Sequence, residues 1–370
     1  MATLTLSSLL LLIGLSTASP SDKRGLVFTP NNDFPQDNQI WVQSGSDLTW
    51  YYNYQSQPSP AYTSLSQDEF EFVPMMWGVT DNLNDTTFLD QVTTLIKQGT
   101  NITHVLGFNE PDGSTGTGGS AIEPRDAAQA WVANFEPLGK QGVKLGLPAC
   151  TGGPGGLPWL KQFLANCSDI VSEGSKTRRN CTWDFLPVHW YDNFAGLASH
   201  IGERRATWPD ADIWVTEYAF ANQDLQTTQQ FFNQTLDYFG KLDYIARYTY
   251  FGAFRSKASN VGPNAAFLNN AGKLTDIGSW YLGFGATDTL NLPIQSSNHI
   301  LVQTTPEWRS SNSPRPRVRV ISNPPDPPPH VPPPIRPRKA PPLRHRNASG
   351  TPFVSATSQV ASALFLLVTY

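Results

Sequence analysis

The sequence predicts an α/β protein, a single (β/α)8 barrel followed by a proline-rich tail, and three observations predict it. From Gly25 to about Leu290, short apolar or aromatic runs alternate with longer helix-compatible stretches, which is the pattern of repeated βα units. Eight such units in about 265 residues match the usual size of one barrel. Finally, Glu110 in His104-Val-Leu-Gly-Phe-Asn-Glu-Pro-Asp112 and Glu217 in Asp212-Ile-Trp-Val-Thr-Glu-Tyr-Ala-Phe220 each close a strand-like run. The C-terminal ends of barrel strands are where catalytic side chains gather.

In chain order, strands are expected at Gly25 to Phe28, Leu48 to Tyr52, Phe70 to Trp77, His104 to Phe108, Val143 to Pro148, Phe185 to Tyr191, Ile213 to Tyr218 and Ile245 to Phe251. These runs concentrate β-branched and aromatic residues, which fit a pleated, buried surface. Helices are expected at Thr86 to Gln98, at Glu123 to Gln141 with Pro124 near its first turn, at Leu157 to Asn166 and at Thr227 to Gly240. The first two units carry the least clear pattern. A content of 39% hydrophobic and 12% aromatic residues is ample for a core of this size.

Cleavage of a sugar acetal through an oxocarbenium-like transition state needs one carboxylic acid to protonate the leaving oxygen and one carboxylate across the ring. Glu110 and Glu217 are the pair that fits, so the residues point to a glycosidase. As bland alternatives, Glu110 caps the next helix and Glu217 forms an ion pair with Arg247. Asn109 is placed to hydrogen-bond a sugar 2-hydroxyl, and Tyr191 and Tyr250, at two strand ends, to donate to Glu217. Aromatic residues near strand ends, namely Trp50, Tyr54, Trp77, Phe108, Trp190, Tyr218 and Phe251, suit a cleft because pyranose C–H faces pack on rings. Trp77 is the strongest candidate, because Gly78 ends its strand, whereas alternation turns Trp190 toward the helices. Asp112 and Tyr218, beside the two glutamates, complete the expected binding set. His189 has no second ligand at metal spacing and is expected to hydrogen-bond in the cleft. The glycine loop 113–119 matches neither nucleotide fingerprint and reads as a mobile loop beside Glu110. No cofactor or metal is called for.

The segments Gly107-Phe-Asn-Glu-Pro-Asp112, Val73-Pro-Met-Met-Trp-Gly78, Pro187-Val-His-Trp-Tyr191, Val215-Thr-Glu-Tyr218 and Ala246-Arg-Tyr-Thr-Tyr-Phe-Gly252 together resemble glycoside hydrolase family 128, which contains β-1,3-glucanases. The resemblance spans about residues 25 to 285. It implies a (β/α)8 barrel, retention of anomeric configuration, an acid/base at Glu110 after strand 4 and a nucleophile at Glu217 after strand 7. A glucan polysaccharide is then the expected partner, for a protein acting as a monomer in endo mode. Glucan transglycosylation and non-catalytic binding of wall glucan are the alternatives. Phe220 and the Tyr-Thr-Tyr of strand 8 depart from the family pattern, which bears on subsite preference.

The ends are biased. Leu4 to Leu15 is apolar and Ser16-Thr17-Ala18 follows, which matches a secretory signal over 1–18 although a positive start is missing. Lys23-Arg24 reads as a dibasic site closing a pro-segment over 19–24. Sequons begin at Asn84, Asn101, Asn166, Asn180, Asn233 and Asn347, and Cys167 with Cys181 is the closest cysteine pair, leaving Cys150 over. Within the linker 291–346 and just beyond it, Pro306 to Pro352 holds 15 of the 31 prolines and nine basic residues against two acidic ones. Such a segment builds no core. Seventeen basic and twenty-eight acidic residues remain outside it, a net charge near −11 that argues against nucleic-acid binding. Residues 347–370, with the small cluster Asn347-Ala-Ser-Gly350 and the apolar end after Val360, have the order of a glycosylphosphatidylinositol signal, so a cell-surface or cell-wall location is expected.

Overall fold

The computed structural model describes residues 23–287. The expected leader, most of the short pro-segment, the proline-rich linker with its basic charge, the sequon at Asn347 and the attachment signal lie outside the described residues.

The eight expected strands all form, seven of them shorter than expected and β7 one residue longer: β1 (Gly25–Val27), β2 (Trp50–Tyr52), β3 (Glu71–Phe72), β4 (His104–Leu106), β5 (Lys144–Gly146), β6 (Phe185–Trp190), β7 (Asp212–Tyr218) and β8 (Ile245–Tyr250). The first three make one parallel sheet in the order β1-β2-β3 and the other five a second in the order β4 to β8. Single parallel bridges, Met75 with Leu106 and Arg24 with Tyr248, join β3 to β4 and β1 to β8. The helices are α1 (Thr87–Lys97), α2 (Pro124–Lys140), α3 (Gly156–Val171), α4 (Phe194–Thr207), α5 (Leu225–Lys241) and α6 (Asp276–Tyr281). After β1 and β2, where the pattern is weakest, the connections instead hold short 3-10 turns at Pro35–Val42 and Pro60–Tyr62.

Local chemistry sets these boundaries. In α1, Phe88, Val92 and Leu95 share a buried face, the i, i+4, i+7 pattern of an amphipathic helix. Pro124 opens α2, where a missing N–H costs nothing, and Trp131 stacks on Phe135 at 4.0 Å beneath it. Asn193 and Asp224 cap α4 and α5 by accepting from Gly196 N and Thr227 N, each at 2.9 Å. Cys167 at the end of α3 is bonded to Cys181, pinning the polar loop before β6, and Cys150 is free and buried.

Two apolar layers follow. The inner faces of the strands meet through Val27, Trp50, Tyr52, Val73, Met75, Leu106, Phe185 and Trp214. A larger layer lies between strands and helices and includes Phe108, Trp131, Phe135, Tyr218 and Tyr250. Strand β7 crosses between the two patterns. Val188 pairs with Val215 but His189 with Glu217, so Thr216 is an extra residue, and the ladder to β8 shifts at the same place. The bulge allows Trp214 and Glu217, three apart, to face inward together while Tyr218 turns out. The Thr216 carbonyl accepts from the hydroxyls of Tyr52 (2.8 Å) and Thr249.

Candidate active site

Glu110 follows β4 in a left-handed conformation, φ 40°, unusual for a residue with a side chain. Its N–H donates to Ala149 O at 2.7 Å, and its carbonyl accepts from Gly113 N (2.9 Å) and Ser120 N (3.3 Å). The glycine loop is thus stitched back onto the Glu110 backbone instead of standing free. Gly119 is required there, because an added Cβ would lie 2.7 Å from Glu110 O. Asn109 is buried, and its amide nitrogen donates to Gly118 O at 3.0 Å, leaving Oδ1 buried without a protein partner. Its unspent group is therefore an acceptor, suited to a sugar hydroxyl, and not the amide donor.

Glu217 is 5% exposed and receives hydrogen bonds on both oxygens. Tyr191 donates to Oε2 at 2.5 Å, and Tyr54 to Oε1 at 2.7 Å with Tyr52 at 3.4 Å. His189 lies between the two glutamates, its Nδ1 3.0 Å from Glu110 Oε1 and 3.5 Å from Glu217 Oε2. One oxygen of each carboxylate and this nitrogen all lie within 4.8 Å of one another. Burial raises the pKa of Glu217 above the ordinary carboxylate range and the nearby Glu110 adds to this, while the charge of His189 and the phenols of Tyr191 and Tyr54 oppose it. Burial works against charge on His189, but Glu217 and Glu110 outweigh it and raise its pKa. Burial, with the charge of Glu217 next, also pushes Tyr54 and Tyr191 far up, so both phenols remain donors.

Arg247, the alternative partner of Glu217, pairs instead with Glu71 at 2.6 Å. Trp77 is half-buried, belongs to neither apolar cluster, and receives Asn109 N on its carbonyl at 2.9 Å. Phe251 is half-buried with its ring 5.6 Å from Tyr191, and Trp190 faces outward as alternation requires, its Nε1 bonded to Asn193 O.

Several expected residues are elsewhere. Tyr250 does not reach Glu217; it is fully buried against Tyr218, Phe232 and Phe267. Tyr218 is equally buried, turned outward by the Thr216 bulge. Asp112 accepts from both Thr151 N (2.8 Å) and Thr151 Oγ1 (2.7 Å), so it ties the loops after β4 and β5 together rather than facing substrate. Phe108 and Trp50 are core. The donors on Glu217 that the sequence reading missed are Tyr52 and Tyr54. Their signal was the parity of Trp50, Tyr52 and Tyr54, alternate residues on one face of β2 and its extension.

The family described as glycosyl hydrolase catalytic core matches residues 25–281. The chain belongs to that family. Its resemblance to glycoside hydrolase family 128, carried in the sequence by five strand ends, is borne out. A curated relative, alkali-sensitive linkage protein 1 of Schizosaccharomyces pombe, is 29% identical over 274 residues, which take in 72% of this chain and 45% of that one. The chain thus spans less than half the length of this relative. A family 128 subgroup II endo-β-1,3-glucanase from Pseudomonas viridiflava superposes with a TM-score of 0.56 at 24% identity, over 72% of this chain and 99% of that one. A subgroup VII oligosaccharide-binding protein from Cryptococcus neoformans does so with a TM-score of 0.52 at 24% identity, over 72% and 94%. At these identities the structural likeness speaks for the fold, and the glycosyl hydrolase core supplies the context for Glu110, His189 and Glu217.

Proposed function

We propose that the protein is a secreted, retaining, endo-acting β-1,3-glucan hydrolase whose two sheets, bridged at both seams, act as one (β/α)8 barrel. The observation that carries the reading is the clustering of one oxygen each from Glu110 and Glu217 with His189 Nδ1 within 4.8 Å. Retention calls for carboxyl groups about 5 to 5.5 Å apart, whereas inversion leaves room for a water between them.

The roles follow from hydrogen bonding. Burial raises the pKa of Glu217, but Tyr191 and Tyr54 oppose that rise by donating to it, as does the charge of His189, and these are the contacts that favour its anion. Glu217 is the nucleophile. Glu110 accepts from His189 on Oε1 and has Oε2 left to carry a proton to the glycosidic oxygen. As Glu217 bonds to the anomeric carbon its charge disappears while Glu110 becomes the anion. His189, within reach of both, faces one negative charge before and after the step. Water, activated by Glu110, then releases the sugar. Trp77 and Phe251 supply ring faces, and Asn109 Oδ1 supplies an acceptor.

Secretion is supported by the Cys167–Cys181 bond, which suits an oxidising compartment, and by the exposure of Asn84, Asn101, Asn180 and Asn233. Surface anchoring rests on the sequence of the tail alone. The linkage and endo mode rest on the family resemblance, so a panel of linear glucans is the test. Fresh products from β-1,3-glucan are expected as internal fragments carrying the β-anomer by NMR. Release of the α-anomer first would remove the double displacement, and binding without turnover of any glucan would leave an oligosaccharide-binding protein.

A further inference from the structure

We propose that Tyr54, on the loop after β2, is a positioning residue that fixes the reactive rotamer and ionised state of Glu217. The inference rests on the hydrolase reading of that glutamate.

Three features support it. The phenol donates to Glu217 Oε1 at 2.7 Å, on the oxygen opposite the one held by Tyr191. Donors on both oxygens fix the torsion of the carboxylate as one donor does not. Second, Tyr54 has φ 61°, and a bulky residue with positive φ costs on the order of 1–3 kcal/mol. The surrounding turn maintains this conformation: Asn53 Oδ1 accepts from Gln55 N (3.2 Å), Asn53 Nδ2 donates to Gln57 O (3.0 Å), and Gln55 O accepts from Met75 N (2.9 Å). Third, Tyr54 is the last ring of a column. Tyr52 lies 5.2 Å below it and Trp50 6.3 Å below Tyr52, the latter meeting Trp214 at 5.1 Å. The column sets the height at which the phenol meets Glu217. Tyr52 differs, because its main acceptor is the Thr216 carbonyl.

Tyr54→Phe keeps the ring and removes the donor. The expected result is a roughly 10- to 100-fold fall in kcat with KM within about twofold, equal on a natural glucan and on a glycoside with an activated leaving group, since the deficit lies in the nucleophile. The acid limb of the kcat/KM profile should move up, because the anion loses a donor. Replacing Tyr54 with 3,5-difluorotyrosine, a more acidic donor, should move that limb down. A purely structural ring would shift neither limb, and unshifted limbs in both variants overturn the proposal. If the wild type turns over no glucan, the hydrolase reading fails by itself. The Glu217 carboxyl, followed by carbon-13 NMR, then still decides about Tyr54: an upward shift of its titration in Tyr54→Phe supports positioning, and no shift overturns it.

Discussion

The two ends of the inner strand faces use similar materials to opposite effect. At the N-terminal end, Glu71 accepts from Arg247 (2.6 Å), His104 (3.3 Å) and Thr103 (2.8 Å), and the Arg247 guanidinium lies 4.4 Å from the Trp214 ring and 5.3 Å from that of Trp50. Burial alone would push Glu71 up, but His104, Arg247 and Thr103 overcome it and bring its pKa down to about 2. At the C-terminal end two carboxylates share one histidine, and burial leaves Glu217 above its ordinary range. One end matches charges and gains stability. The other leaves them in excess, which is the condition for moving a proton.

The largest expected effect breaks the C-terminal end. Glu217→Gln should abolish turnover while leaving glucan binding measurable by calorimetry, because the amide keeps the shape but cannot attack. Turnover near that of the wild type would remove the nucleophile from Glu217. The opposite end should respond in stability alone. Arg247→Met leaves Glu71 charged and half-buried, and should cost about 3 kcal/mol in denaturant unfolding with kcat of the folded protein unchanged. The same pair sets a pH window. The lowered pKa of Glu71 contributes fully above its unfolded value of about 4.3, and about 3 kcal/mol is lost as pH falls from there through about 2. Arg247→Met should flatten that acid slope, and an unchanged slope would show the pair to be inert. The smallest effect sharpens the rim of the cleft. Trp77→Ala should weaken glucan binding by roughly 1 to 3 kcal/mol with little change in melting temperature. A large fall in melting temperature with unchanged affinity would return the ring to the core.

The eight strands were legible because each is a short run of residues that fit few other places, and Glu110 and Glu217 stood out as carboxylates just beyond the end of β4 and next to the end of β7. Tyr250 lies two residues on from Tyr248, on the same outward side of β8, and Tyr218 was misplaced for a different reason. Alternation along β7 fails at Thr216, and a bulge leaves no mark in composition, since the extra residue is an ordinary threonine whose carbonyl finds Tyr52 and Thr249. Asp112 looked like a cleft residue by its place beside Glu110, and only the approach of the β5 loop reveals Thr151 as its partner. Tyr54 was visible as a ring near a strand end, but its role depends on contact across the inner faces at a separation of 163 residues. Helix α4 lacked a strong apolar stripe and became clear only with its Asn193 cap.

The residues that read as a cleavage signal, Lys23 and Arg24, belong to the fold. The Lys23 carbonyl accepts from Tyr248 N at 2.8 Å and from Trp50 Nε1 at 3.2 Å, and the Arg24 guanidinium reaches Asp47 at 3.0 Å and the Tyr248 hydroxyl at 3.1 Å. A protease must draw its target into an extended, unpaired form, and the bond between Arg24 and Gly25 is held in the junction of β1 with β8. The closed junction therefore shields this bond, and a cut made there before it closed would leave the fold without the contacts that Lys23 and Arg24 supply.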